Sequence, residues 1–203
     1  MREMEKRSLR ACLGKEWLYC DGGTGSLLQE KGLKGGELPE RWNLERPEDV
    51  IEIAESYFRA GADIVNTNTF GANRLHYPDR AELEQIVRAG VRHVREGLAR
   101  SGRTDGFVAL DLGPTGRLLK PMGDLEFETC VEIFAEVVRW GKEEGADLVL
   151  IETMSDAMEA KAAVLAAKEN SDLPVFVTVV FDEKGKTLTG GTVESVTAML
   201  ESL

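Results

Sequence analysis

Four segments of this chain share one design. LYCDGGTG, DIVNTNTFGA, FVALDLGPTG and DLVLIETMSD each run from a short apolar stretch into polar side chains and then a glycine-rich or helix-opening turn. Stretches that are apolar throughout belong to strands buried on both faces, the environment of a parallel sheet covered by helices. In a parallel barrel the strand ends meet at one rim, and that rim carries the chemistry. Asp21, Asn66, Asn68, Thr69, Asp111 and Glu152 close these runs, so residues far apart in the chain become candidates for one site.

Helical patterns separate the runs. Trp17 to Cys20 reads as the first strand, preceded by a short helical lead-in. Pro47 to Ala60 reads as a helix: proline suits its first turn, Glu48 and Asp49 suit the positive end of the dipole, and Gly61 suits the stop. Ile64 to Val65 opens a second strand. Ala81 to Arg100 forms a helix with Leu83, Ile86, Val87, Val91, Val94 and Leu98 on one face and arginines opposite. Phe107 to Leu110, Leu148 to Ile151 and Val175 to Phe181 continue the strands. Glu128 to Glu144, Asp156 to Glu169 and Thr192 to Leu203 continue the helices.

RAGADIVNT and EEGADLVLIET repeat Gly-Ala-Asp-(Ile/Leu)-Val at Gly61 and Gly145, with glycine ending a helix and a strand starting at once. Their separation is about two periods of ~40 residues, a βα period suited to a barrel. A (βα)8 barrel and a doubly wound open sheet both fit the alternation. Asp21-Gly22-Gly23-Thr24-Gly25 lacks the glycine spacing of a dinucleotide fingerprint, and no P-loop lysine follows. A long excursion, Ser26 to Leu44, precedes the first helix, as insertions over the active face of a barrel do. The expected fold is α/β: a partial (βα)8 TIM-type barrel of about five units out of eight, forming one domain over residues 1–203.

The formal net charge of −11 argues against nucleic acid and against an anionic membrane surface. No run approaches the roughly twenty apolar residues of a transmembrane helix. The N-terminus carries charges where a signal peptide needs an apolar core. The three cysteines, Cys12, Cys20 and Cys130, are odd in number and far apart, so no disulfide framework is implied and a cytoplasmic location is expected.

Five motifs in order carry a resemblance: Asp21-Gly22-Gly23-Thr24-Gly25, Asn66-Thr67-Asn68-Thr69-Phe70-Gly71-Ala72, Gly113-Pro114-Thr115-Gly116, Ile151-Glu152-Thr153-Met154-Ser155-Asp156, and Phe181-Asp182-Glu183-Lys184-Gly185 with Leu188-Thr189-Gly190. From about Trp17 onward the set resembles the homocysteine S-methyltransferase family, and most of all the homocysteine-binding modules of cobalamin-dependent members. Each motif alone is weak; the ordered set is specific. The resemblance implies methyl transfer to the homocysteine thiol, with Asp21, Gly22, Thr69 and Glu152 at positions associated with homocysteine. Residue chemistry agrees. Asp21 and Glu152 offer acceptors to an ammonium, Gly22, Gly23 and Thr24 offer backbone N–H groups to a carboxylate, and Thr69 offers a hydroxyl. Asn66, Asn68 and Asp111 are expected to shape the pocket.

Plainer readings stand beside these. Asp-Gly-Gly also makes a turn, Asn66 and Asn68 also cap loops, and Asp111 before Gly-Pro also starts a turn. Glu152 is harder to dismiss, because a carboxylate closing a Leu-Val-Leu-Ile run is costly to bury without a partner. His76, His93, Lys34 to Glu37 and the helix arginines read as structural or solvated.

The resemblance further implies a zinc ion held by three late cysteine thiolates, after the sixth and eighth strands. The chain ends at Leu203, after its fifth unit, and its own cysteines are not expected to replace them. Cys20 should point away from Asp21 on a strand, Cys130 lies in an outer helix and Cys12 precedes the barrel, so all three read as small core residues. No metal ligand is therefore assigned, and the chain is expected to be inactive alone. A methylcobalamin or 5-methyltetrahydrofolate donor would come from a separate module. A corrinoid protein, a second chain completing the barrel, or homo-oligomerisation over the exposed sheet edges is the expected partnership. Two other functions fit the same residues: a non-catalytic module binding an amino acid or a partner, and another barrel enzyme using Asp21, Asp111 and Glu152 as acid–base carboxylates.

Overall fold

A computed structural model describes residues 7–203. Four parallel strands, β1 (Ile64–Asn66), β2 (Phe107–Leu112), β3 (Leu148–Met154) and β4 (Val175–Val179), lie in the order β1-β2-β3-β4. Ile64 pairs with Phe107, Ala109 with Leu148, and Val149 with Val175. Each crossover carries a helix: α5 (Arg80–Arg100), α6 (Phe127–Glu143) and α7 (Ala157–Asn170). A doubly wound sheet reverses its strand order at a switch point. This sheet never reverses, as expected of part of a (βα)8 barrel.

The expected first strand is shorter than the sequence suggested. Trp17 to Cys20 contributes one parallel bridge, Cys20 to Ile64, and no ladder. Beside that bridge, Asp63 Oδ2 accepts the Tyr19 N–H at 3.0 Å. Trp17 and Tyr19 remain exposed. This segment and α4 (Pro47–Ala60) still make the first of five units, and β4 with α8 (Val193–Glu201) makes the last. Of the lead-in, α1 (Leu9–Cys12) is helical; the part before residue 7 lies outside the described residues.

The Gly-Ala-Asp repeat has one structural meaning in both copies. Gly61 and Gly145 adopt the left-handed conformation, φ 105° and 93°, that ends a helix without a Cβ penalty. The aspartate that follows binds the preceding strand: Asp63 takes the Tyr19 N–H, and Asp147 Oδ2 takes the Val108 N–H at 2.9 Å. The arginines of α5 also do more than face solvent. Arg88 and Arg92 pair with Glu143 and Glu144 near the end of α6, and Arg95 pairs with Asp147.

Strand alternation sorts the core into two layers. Val108, Leu110, Leu112, Val149 and Ile151 pack toward the helices. Ile64, Phe107, Ala109, Leu148 and Leu150 face the opposite side, where Leu9 and Cys12 of α1 join them. The expected apolar stripe of α5 is buried from Leu83 to Leu98, and Asp79 caps its start by accepting from Ala81 N and Glu82 N. The excursion after the first strand folds into α2 (Thr24–Glu30), a single 3-10 turn (Pro39–Arg41) and α3 (Trp42–Glu45). Among the described residues no helix is long and apolar enough to cross a membrane.

Candidate functional site

The strand ends surround one cavity of about 830 Å³. The first loop supplies Cys20 to Gly25, the excursion Pro39 and Glu40, and β1 with its following turn Asn66, Thr67, Asn68 and Phe70. Asp111 comes from β2, Leu150 and Glu152 from β3, and Phe176, Val177 and Thr178 from β4. Asp21, Gly22, Gly23, Thr24, Asn66, Asn68, Asp111 and Glu152, all singled out in the sequence, therefore share one mouth.

Thr69 is the exception. It is fully buried, and its hydroxyl donates to the Asp111 carbonyl at 2.8 Å. Thr67 Oγ1 lies 2.6 Å from Thr69 Oγ1 and accepts the Asp111 N–H at 3.1 Å. With each hydroxyl donating once, the two threonines close a ring of hydrogen bonds around the Asp111 backbone. Thr69 thus braces Asp111 rather than facing the cavity. Asn68 is engaged as well: its Nδ2 donates to Pro39 O at 2.9 Å and Asn43 Oδ1 at 3.0 Å, tying the excursion to the rim.

Two acceptors are left over. Asn66 Oδ1 and Asp111 Oδ1 are buried without a hydrogen-bond partner. Asp111 is only 5% exposed, and an acceptor buried in that way is costly unless a ligand or water supplies a donor. Asp21 is anchored differently, its Oδ2 accepting the Asn66 N–H at 2.8 Å. Glu40, which the sequence did not mark, is 3% exposed and takes the Gly71 N–H on Oε1 and the Tyr77 hydroxyl on Oε2. It lies inside the excursion, where no strand-end pattern points to it.

The electrostatics follow from these positions. Asp21, Glu40, Asp111 and Glu152 line the cavity, and no lysine, arginine or histidine among the described residues does. Burial raises the Asp21 carboxyl to about 6, helped by the Glu152 charge and opposed by the Asn66 N–H. Burial first, then the charges of Glu152, Asp21 and Glu40, holds Asp111 well above the carboxylate range. Burial also raises Glu152. The mouth is therefore short of positive charge.

This has a measurable consequence. Asp21 titrates near 3.8 unfolded and about 6 folded. Between those values the folded chain binds more protons, so stability falls as pH rises through the window and levels off above it. The loss is up to about 3 kcal/mol from the Asp21 shift. Asp21→Asn should flatten that part of the curve, read by denaturant unfolding at pH 4.5 and 7. An unchanged slope would contradict the burial of this carboxyl.

The histidines stand apart from the cavity: His93 is held by Asn43 O at 2.7 Å, and His76 Nδ1 lies 2.9 Å from Gly71 O. Cys12 and Cys130 are buried as expected, and burial pushes the Cys130 thiol up to about 12. Cys20 departs from expectation. It is exposed and lines the same cavity as Asp21, because one bridge without a ladder does not enforce the alternation of a strand. A single thiol does not make a thiolate zinc site. Among the described residues no group of three or more His, Cys, Asp and Glu side chains is placed to hold a metal ion. The residues present do not fit the zinc that the resemblance implies.

Fold and site together define a class: part of a parallel (βα)8 barrel whose strand-end mouth gathers carboxylates around one cavity. The family model of the homocysteine S-methyltransferases matches residues 18–203, and the chain belongs to that family. The methionine synthase of Mycobacterium leprae (strain TN) is 32% identical over 210 residues, covering 94% of this chain and 17% of that protein. This chain thus spans less than a fifth of that relative's length. The homocysteine methyltransferase MmuM from Escherichia coli has a similar fold. Its metallated form superposes with a TM-score of 0.83 at 21% identity, covering 96% of this chain and 74% of that one. Its oxidized form gives 0.83 at 22%, covering 95% and 72%.

Proposed function

We propose that this chain binds L-homocysteine and serves a homocysteine S-methyltransferase that converts it to methionine, as the N-terminal, amino-acid-binding portion of the barrel in one domain. The observation that carries this reading is the convergence of Asp21, Asp111 and Glu152 on a cavity with no basic side chain. An ammonium fills that need. Gly22, Gly23 and Thr24 offer backbone N–H groups to the substrate carboxylate. Glycine keeps this loop close: a Cβ at Gly22 would lie 3.1 Å from Tyr57 Oη, and one at Gly23 would lie 2.8 Å from Ser26 Oγ. In the reaction the homocysteine sulfur forms the new S–CH3 bond, the donor loses its methyl group, and the thiol proton is released. Asp21 and Glu152 hold the amino end while the sulfur is left free. Thiol activation by zinc is not assigned to the residues described, because they do not form such a site.

The methyl donor, methylcobalamin or 5-methyltetrahydrofolate in this proposal, arrives on a separate module in the cytoplasm. The outer edge of β4 has no neighbouring strand among the described residues. A second chain or another copy covers it in our reading; a strict monomer by light scattering at high concentration would contradict the self-association. The functional proposal itself is tested by calorimetry. L-homocysteine should bind at one site, and N-acetyl-L-homocysteine, which has no ammonium, should not. Absence of heat with homocysteine alongside binding of a sugar or keto acid would overturn the proposal in favour of an acid–base barrel enzyme.

A further inference from the structure

The backbone beside Glu152 is unusual. Thr153 has φ 61°, and it is the one non-glycine residue with positive φ among those described. A β-branched side chain in that region is strained, and such strain persists only where surrounding structure enforces it. The register shows what is being enforced. Ile151 pairs with Val177, but Met154 pairs with Val179, so β3 uses one more residue than β4 over the same span. The extra residue is a bulge.

Side-chain directions on either side of the bulge show its effect. Leu148 and Leu150 face the inner layer, and Val149 and Ile151 face the helices. Regular alternation would turn Glu152 inward, Thr153 outward and Met154 inward. Glu152 does reach the cavity, but Met154 is fully buried on the helix side. The bulge lets a carboxylate face the mouth while a methionine two residues later fills the core. Thr153 itself is exposed, so side-chain packing does not hold its backbone. Its backbone is engaged instead: between the paired positions on either side of the bulge, the Thr153 N–H donates to Thr178 Oγ1 at 2.9 Å. Thr178 is the β4 residue that stands between the paired positions Val177 and Val179, opposite the bulge, and it lines the cavity too.

We propose that Thr178 is a positioning residue for the amino-acid site: its hydroxyl oxygen holds the left-handed backbone of Thr153 and thereby aims Glu152 into the cavity. The inference rests on the proposed binding of homocysteine only for the identity of the ligand. The bulge and its lock stand on geometry, and the raised carboxyl of Glu152 agrees with an enforced inward orientation.

The test pairs two readouts on the whole chain. Thr178→Val keeps the side-chain shape and removes the acceptor. It should bring the Glu152 carboxyl, titrated by carbon NMR, down toward the ordinary glutamate range. It should also weaken L-homocysteine binding about tenfold by calorimetry. Thr178→Ser should restore both. So should the double variant Thr153→Gly, Thr178→Val, because glycine takes positive φ without strain and no longer needs the lock. Loss of packing alone would not be rescued by glycine at 153. The proposal is overturned if Thr178→Val leaves the Glu152 titration at its wild-type position, or if the glycine double variant stays as displaced as the single one. Should the wild-type chain fail to bind homocysteine, the functional reading falls, and the NMR titration still decides the role of Thr178.

Discussion

Glu152→Gln should weaken L-homocysteine binding by about a hundredfold, the equivalent of about 3 kcal/mol for a charge-assisted contact made away from bulk water. The reasoning is electrostatic. Glutamine preserves the size and one acceptor of the side chain, so the cavity keeps its shape. What disappears is the negative charge that a substrate ammonium pairs with. Burial of Glu152 makes that charge unfavourable in the empty site and correspondingly effective once a cation arrives. The same substitution should leave the folded chain as stable as the wild type or more so at pH 8, because an uncompensated carboxylate has been removed. Weaker binding with undiminished thermal stability is the expected pair of results. Equal affinity in wild type and variant would show that the ammonium sits elsewhere.

Gly97→Val should strongly damage the packing of α5 on α4. A Cβ on Gly97 of α5 would lie 2.8 Å from Ala54 Cβ and 2.8 Å from the Glu55 backbone nitrogen of α4. The obstacle is helix backbone, which cannot swing aside as a side-chain tip can. The two helices must separate, and the buried stripe of Leu98, Val94 and Ala54 loses its close packing. The cost should be about 3 kcal/mol or more, lowering Tm by roughly 6–12 °C for a chain of this size. Thermal unfolding followed by circular dichroism measures it. A shift within the range of ordinary surface substitutions would mean that α4 and α5 are not in the contact described. Gly61 makes the useful comparison: its φ of 105° demands glycine for backbone reasons, whereas Gly97 is demanded by its neighbour.

Much of this architecture is legible in the sequence because two periodicities alternate. Apolar runs and amphipathic stripes located α4, α5 and the cores of β2, β3 and β4, and the polar closures of those runs pointed to the cavity. What was hidden depends on contacts between distant segments. The first strand makes one bridge, and the Tyr19 N–H within it is taken by a carboxylate, Asp63, lying 44 residues away. Thr69 looked like a substrate donor because a hydroxyl at a strand end has no visible direction. Its partner, the Asp111 carbonyl, exists only once β1 and β2 are side by side. Glu40 was concealed within the excursion by the absence of any periodic pattern. Thr178 could have been found by the strand-end rule, because it stands near the close of β4 as Glu152 does on β3. Cys20 was misread because strand alternation was applied to a segment that forms a single bridge.

The central claim is that carboxylates separated by more than a hundred residues meet at one mouth to hold the amino end of a thiol amino acid. A crystal structure of the chain with L-homocysteine tests it most directly. The account predicts the ammonium within hydrogen-bond reach, roughly 2.7–3.2 Å, of the Asp21 and Glu152 carboxylates, and the sulfur turned away from them. An ammonium bound outside this cavity, or a ligand whose carboxylate faces Glu152, would contradict it.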